Sequence, residues 1–91
     1  VFRDSEVPTG VAFIVVDDNA ENSIVVASGA NARLSPDDIE IVNNEISSAN
    51  IVLVQLESPI ESVYAAVKKA HEMGATVILN PAPAQELAKH I

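Results

Sequence analysis

Two polar side chains stand directly after apolar runs in this sequence, where their types and spacing suit the binding of a polar ligand. Glu57 follows an almost unbroken apolar run at residues 51–56. Asn80 follows a second run at residues 75–79. Short apolar runs of this kind are typical of strands buried in a parallel sheet. Because open α/β sheets bind ligands at the carboxyl ends of their strands, we expect both side chains to face one crevice if the strands are neighbours.

Glu57 has two interpretations at this stage. A carboxylate at a strand end can accept hydrogen bonds from the hydroxyl groups of a small molecule. It can equally be a solvated turn acid that is stabilised by the positive end of the following helix. The sequence has no nucleophile paired with a base and no pair of acid/base carboxylates, so we predict no catalytic residue within this chain.

The residues after Glu57 predict the start of a helix. Ser58 is placed to cap it, Pro59 suits its first turn, and Glu61 completes a capping box. The helix is predicted to run from about Pro59 to residue 73, with Gly74 as the residue that ends it. Its predicted buried stripe consists of Ile60, Val63, Tyr64, Val67 and Ala70.

The first third of the chain predicts an antiparallel hairpin. Residues 11–17 and 24–27 are rich in β-branched and aromatic side chains, and residues 18–22 have the composition of a turn. Both faces of the hairpin are apolar, so each needs a cover in the form of a ligand, a sheet or a partner subunit. Gly29 follows the hairpin, where it suits a bulge or a close approach between backbones.

Residues 35–91 predict the order α-β-α-β-α, which indicates an α/β fold with a parallel sheet. The first helix begins at a Ser35 cap with Pro36 behind it, and Ile39, Val42 and Ile46 form its apolar stripe. The last helix is predicted to start near Ala84, with Leu87 and Ile91 on one side.

Two strands alone do not make a stable sheet, so we expect the other strands to come from elsewhere in a longer polypeptide. The chain begins at Val1 without an initiator Met and stops at Ile91 within a predicted helix. Both features fit the expectation that this is an internal piece of a larger protein.

Composition excludes several classes of function. The 91 residues make one small domain at most. Five basic against thirteen acidic residues give a formal net charge of −8, which disfavours a nucleic-acid partner. There is no cysteine, the two histidines have no suitably spaced ligands for a metal, and no glycine-rich nucleotide fingerprint is present. We see no signal peptide or membrane-length apolar run, so we expect no membrane partner and a cytoplasmic location.

Five motifs resemble the ribokinase family of carbohydrate kinases. The similarity extends from about Thr9 to Leu87. Three motifs resemble the family's lid, and two resemble its next two strand ends. They are TGVAFIVVD (9–17), EN (21–22), SGANA (28–32), QLESPIE (55–61) and LNPAPA (79–84).

The resemblance implies part of a ribokinase-like α/β sandwich, with a parallel sheet and an antiparallel β-hairpin lid. Residues 1–32 would form the lid segment, and residues 33–91 an incomplete α/β core. The implied activity is transfer of the γ-phosphoryl group of ATP to the hydroxymethyl group of ribose, giving ribose 5-phosphate. The implied partners of the parent enzyme are ATP, Mg²⁺, a monovalent cation, the sugar, and a second subunit that packs lid against lid in a homodimer.

Carried over to this sequence, the family's pattern makes Glu57 the acceptor of a hydrogen bond from a sugar hydroxyl. Ala12, Ile14 and Val26 resemble the apolar lid positions over the sugar, although they also suit the core of a hairpin. Asn80 resembles a position near the phosphate side.

Several parts of the family's pattern are missing from these 91 residues. They include the Gly-Gly sugar-binding motif, the Asn/Glu pair near the metal, and the Gly-Ala-Gly-Asp stretch with the catalytic base. We therefore predict that this chain alone is inactive and binds no cofactor by itself. Two alternatives stay open: a non-catalytic α/β module for binding or self-association, and a related kinase for another sugar or a nucleoside.

Overall fold

The computed structural model of the chain describes residues 1–87. It combines an antiparallel hairpin with a parallel pair of strands and packed helices, which confirms the predicted α/β class. In chain order, the elements are β1 Val11–Val16, β2 Asn22–Ala27, a 3₁₀ helix Gly29–Arg33, α1 Pro36–Ile41, α2 Asn43–Ser47, β3 Ile51–Gln55, α3 Ile60–Glu72 and β4 Thr76–Asn80.

The hairpin of β1 and β2 projects from the rest of the chain, and every residue of both strands is exposed. The radius of gyration of the chain, 15.3 Å, exceeds the value of about 12 Å expected for a compact chain of this length. The pairing places Ala12 opposite Val26 and Ile14 opposite Ile24. Directly opposed residues share one face of an antiparallel pair, so these four side chains form one apolar face.

The hairpin turn is held by the side chain of Asp17. Its Oδ1 accepts hydrogen bonds from the backbone N–H groups of Asn19 and Glu21, both at 2.9 Å. Ala20 has φ 63°, in the left-handed region that a turn followed by a bulge requires. The turn therefore closes with a residue that lacks the conformational freedom of glycine.

The core lies between α3 and one face of the β3–β4 pair. The two strands are parallel, with Val52 opposite Val77 and Val54 opposite Leu79, and these four side chains are half-buried. The other face is open in the described part of the chain, where Leu53 is 70% exposed. In residues 1–87 the sheet is packed by α3 on one face, so the burial of both faces that the apolar runs predict is not observed there.

Helix α3 begins one residue later than predicted, and the predicted Ser58 capping box is wrong. Pro59 stands at the N-cap position with ψ 134°, and no side chain caps the helix. This extended backbone moves the third helical position to Ser62, whose hydroxyl donates instead to the carbonyl oxygen of Leu34 at 2.7 Å. The end of the helix agrees with the prediction, because Gly74 follows it with φ 78°.

The buried face of α3 differs from the predicted stripe. Ser62, Val63, Ala66 and Ala70 are buried, whereas the predicted Ile60, Tyr64 and Val67 are half-buried. Both α1 and α2 pack against α3 in addition to the strands. Small side chains on the buried face allow this close packing on two sides.

The predicted first helix is two helices. Its start is as predicted: the Ser35 hydroxyl accepts from the Asp38 N–H at 3.2 Å, and Asp38 Oδ2 accepts from the Ser35 N–H at 2.8 Å. The helix breaks at Val42, with φ −97° and ψ 21°. Asn43 accepts a hydrogen bond from the Ser47 hydroxyl just after the break, and such short polar side chains compete with regular helix geometry.

The helix predicted to start near Ala84 is not seen in residues 84–87, and the rest of it, including Ile91, lies outside the described residues. Among the helices of residues 1–87, none has the length and apolar character needed to cross a membrane.

Candidate functional site: the lid cleft

A cleft of about 610 Å³ lies between the base of the hairpin and the carboxyl end of β3. We call it the lid cleft. Its walls are mainly apolar, and a few polar groups converge on it. The residues that matter for its chemistry are Ala12, Val26, Ser28, Asn31, Glu57 and Pro83.

Glu57 is positioned by the residues just before it. Leu56 is 4% exposed, so the chain is anchored in the core immediately before the carboxylate. The Leu56 N–H donates to the carbonyl oxygen of Ala82 at 2.9 Å, and the Glu57 N–H donates to the side-chain oxygen of Gln55. Within residues 1–87 the Glu57 carboxylate itself has no ion pair or hydrogen bond, so all its acceptor sites are open to a ligand.

Two of the three predicted lid residues line the same cleft. Ala12 and Val26 face each other across the hairpin at its base, next to Glu57. Ile14 lies on the same hairpin face but farther toward the turn, where it is 60% exposed and outside the cleft wall. The structure therefore does not bring Ile14 into the cleft with Glu57.

Asn80 lies outside the cleft wall. It is the last residue of β4 and sits opposite Gln55 in the parallel register, so the two strands are neighbours as the sequence required. Its carbonyl oxygen accepts from the Ala82 N–H at 2.8 Å, in a turn that directs the chain back toward β3. Residues Ala82 and Pro83, rather than Asn80, form the β4 side of the cleft.

The base of the hairpin is a tight crossing of two backbones. Gly29 has φ 53°, and a Cβ atom at this position would lie 2.4 Å from the carbonyl oxygen of Pro8. A Cβ atom at Gly10 would lie 2.6 Å from the carbonyl oxygen of Ser28. The close approach suggested for Gly29 is therefore confirmed, and it sets the hairpin directly above Glu57.

An ion-pair cluster ties the crossing to the N-terminal segment. The Arg33 guanidinium lies 2.9 Å from Asp4 and 3.1 Å from Glu6. Hydrogen bonds from the backbone N–H groups of Glu6 and Val7, supported by the Arg33 charge, hold the pKa of Asp4 below its usual value. Arg33 ends the 3₁₀ helix, so this cluster fixes the orientation of the hairpin's root.

Asn31 and Ser28 were not assigned a role from the sequence, although both belong to the quoted SGANA motif. The structure places both in the cleft wall with Glu57. The signal for them was weak, because a polar residue beside a glycine more often marks a turn.

Glu57 is the charged residue that lines the lid cleft. In residues 1–87, no three His, Asp or Glu side chains come together as metal ligands. What the site offers is an acceptor carboxylate at a strand end, fixed from behind and overhung by apolar hairpin residues. That arrangement can orient a hydroxylated small molecule and exclude water from it.

An α/β unit that carries a β-hairpin over a strand-end carboxylate is the arrangement that the resemblance to ribokinases implied. Residues 1–91 match the sequence model of the pfkB family of carbohydrate kinases. The chain belongs to this family.

The similar proteins include ribokinases and deoxyribokinases. The Haemophilus influenzae ribokinase is 44% identical over 87 residues, which are 96% of this chain and 28% of that protein. The structure of the Giardia lamblia ribokinase matches with a TM-score of 0.80 at 28% identity, over 93% of this chain and 29% of that one. The structure of the Arabidopsis thaliana ribokinase complexed with ribose and ATP matches with a TM-score of 0.60 at 37% identity, over 81% of this chain and 24% of that one. The chain spans between 17% and 30% of the length of the curated relatives it matches.

Proposed function

We propose that this chain is the lid and part of the sugar pocket of an ATP-dependent kinase that phosphorylates ribose to ribose 5-phosphate. The observation that carries the proposal is the open Glu57 carboxylate beneath Ala12 and Val26, in a chain of the pfkB family. In this proposal residues 1–32 are the lid segment, and residues 33–91 are part of the α/β core.

Glu57 accepts a hydrogen bond from a ribose hydroxyl and thereby orients the sugar. A charge-assisted hydrogen bond of this kind is stronger than a neutral one. The backbone that carries the carboxylate is held because the Glu57 N–H donates to the Gln55 side chain and the Leu56 N–H donates to Ala82. Ala12, Val26 and, once the hairpin closes, Ile14 cover the sugar with apolar surface. Asn80 stays a candidate for the phosphate side, reached across the β4 turn.

The lid's chemical contribution is to exclude water. Phosphoryl transfer depends on positioning and charge stabilisation, and a water molecule in place of the sugar hydroxyl would hydrolyse ATP. Closing the hairpin onto Glu57 removes that competing acceptor. The catalytic base, the nucleotide and its Mg²⁺, and the monovalent cation belong to other parts of the full-length polypeptide.

The outer face of the hairpin supports a homodimer. Phe13 is 65% exposed, Val15 69% and Val25 67%, and all three lie on the hairpin face opposite to Ala12 and Ile14. A second subunit's lid covers such a face without disturbing the first. We propose a cytoplasmic enzyme with no nucleic-acid or membrane partner, since a net charge of −8 gives no basic footprint for either.

The experiment is ATP consumption by the full-length protein with ribose, fructose, adenosine and no acceptor. We expect turnover with ribose. Glu57→Ala should lower kcat/KM for ribose by about 10- to 100-fold, the range for losing a hydrogen bond to a charged group. Glu61→Ala is the matched control, since Glu61 is exposed on α3 outside the lid cleft and should change little.

The outcomes separate the alternatives. Turnover with another acceptor would support the kinase mechanism and assign a substrate other than ribose. No turnover with any acceptor, in a folded protein with magnesium and a monovalent cation, favours the self-association module that the exposed hairpin faces also suit. In that case ribose should also fail to protect the hairpin from proteolysis. The 91-residue chain alone should consume no ATP with any acceptor.

A further inference from the structure

Asn31 occupies an unusual place at the root of the hairpin. It lies on the 3₁₀ helix and lines the lid cleft together with Glu57. It also lines a neighbouring cavity of about 360 Å³ beneath β3, again together with Glu57. Asn31 therefore borders the same two cavities as Glu57, Asn31 from the hairpin side and Glu57 from the α/β core.

The backbone of Asn31 is held in place. Its N–H donates to the carbonyl oxygen of Ser28 at 3.1 Å, and the N–H of the preceding Ala30 donates to the carbonyl oxygen of Pro8 at 2.9 Å. Its side-chain Nδ2 lies 3.2 Å from the point where a Gly10 Cβ would sit, so the amide packs against the glycine crossing. The side chain is thus positioned by the rigid root of the hairpin.

The Asn31 amide has no hydrogen bond within the part of the chain that the structure describes. Its neighbours in the 3₁₀ helix satisfy their own groups through the backbone or, for Arg33, through ion pairs. An amide carries two donors and an acceptor, and Glu57 carries acceptors alone. The two side chains are complementary to neighbouring hydroxyl groups, which donate to the carboxylate and exchange hydrogen bonds with the amide.

We propose that Asn31 is a second polar sugar-binding residue, which hydrogen-bonds a hydroxyl of the acceptor from the hairpin side and so determines specificity for it. This inference rests on the proposed kinase function. Because Asn31 sits on the hairpin root and Glu57 on the core, a sugar that contacts both fastens the hairpin to the core. A sugar without the matching hydroxyl leaves the amide unpaired, and such sites reject deoxy analogues strongly.

The test uses the full-length protein with ribose and a set of monodeoxyriboses. Asn31→Ala should lower kcat/KM for ribose by about 3- to 10-fold, as expected for a neutral hydrogen bond. For the one analogue that lacks the hydroxyl bound by Asn31, the same substitution should change kcat/KM by less than about 2-fold. Asn44→Ala is the matched control, because Asn44 is an exposed asparagine on α2 away from the cleft.

Asn31→Asp keeps the shape of the side chain and removes its donors, so it tests the same contact with the packing against Gly10 preserved. Loss of ribose discrimination in this variant, as in Asn31→Ala, would show that the amide donates to the sugar, and retained discrimination would show that it accepts. Equal losses for ribose and every deoxy analogue in both variants would overturn the inference and make Asn31 a brace for the hairpin, while the proposed function stands. No turnover of any acceptor by the unmodified protein would remove the proposed function and this inference together.

Discussion

The tight backbone crossing at the hairpin root, formed at Gly10 and Gly29, gives the most specific prediction about this structure. The three glycines of the chain separate two physical costs of adding a side chain, namely a left-handed φ and a steric contact with the backbone. Gly29 combines a left-handed φ of 53° with a backbone contact, because its Cβ would meet Pro8 at 2.4 Å. Gly74 has a left-handed φ of 78° with nothing within 4 Å. Gly10 has no positive φ, but its Cβ would meet the Ser28 carbonyl oxygen at 2.6 Å.

The expected costs follow from these two terms. An alanine in the left-handed region costs about 1–2 kcal/mol, so Gly74→Ala should destabilise by that amount. Forcing a methyl group against fixed backbone costs about 1–3 kcal/mol more, which is the expected effect of Gly10→Ala alone. Gly29→Ala carries both terms and should cost about 2–5 kcal/mol, because the carbonyl of Pro8 cannot rotate away as a side chain would.

The assay is native-state hydrogen exchange of the hairpin amides, residues 11–27, in the full-length protein, together with urea unfolding. Hydrogen exchange reports the local opening of the hairpin even where global unfolding is not two-state. Gly29→Ala and Gly10→Ala should raise exchange in the hairpin, whereas Gly74→Ala should act on the α3–β4 connection. If Gly29→Ala destabilises the hairpin no more than Gly74→Ala does, the crossing does not hold the hairpin in place and our account of the cleft's roof is wrong.

Three further predictions concern single side chains. Ser62→Ala should lower the free energy of unfolding by about 1–2 kcal/mol, since it leaves the carbonyl of Leu34 without its buried donor; in urea unfolding, the exposed control Ser48→Ala should cost less than half as much, and equal costs would contradict this. Hydrogen bonds from the Ser35 hydroxyl and N–H hold the pKa of Asp38 below 3.8 in the folded state, so its contribution to stability is present above pH 3.8 and is lost as the pH falls through the folded pKa. The stability difference between the unmodified protein and Asp38→Asn should therefore shrink on acidification below about pH 4, and a constant difference down to pH 2 would refute the assignment. Ala20→Gly should stabilise the hairpin by about 0.5–1 kcal/mol because it relieves the left-handed φ of 63°. The measurement is hydrogen exchange of the hairpin amides, and faster exchange in the variant would show that the turn is not strained.

Local sequence pattern determined the strands of this protein and the start of α1. The β-branched runs of β1, β3 and β4 and the alternation of Ala12 with Ile14 depend on nearest neighbours, so period and composition reveal them. The Ser35 cap is equally local, since its partner lies three residues away. The Ser58 cap was predicted wrongly because a serine that precedes proline can either begin a helix or be followed by extended backbone. The hydrogen bond from the Ser62 hydroxyl to the carbonyl oxygen of Leu34, which is distant in the sequence, decided between the two.

The site was decided by tertiary structure. Sequence nominated Glu57, Ala12, Ile14, Val26 and Asn80 through strand ends and family motifs, without a measure of which of them meet. The glycine crossing folds the hairpin root over β3, and the Leu56–Ala82 hydrogen bond turns the chain after β4 toward it. These contacts bring Ala12, Val26 and Asn31 beside Glu57 and leave Asn80 outside. Such contacts join segments that are distant in the sequence, and their geometry depends on backbone packing that no local pattern encodes.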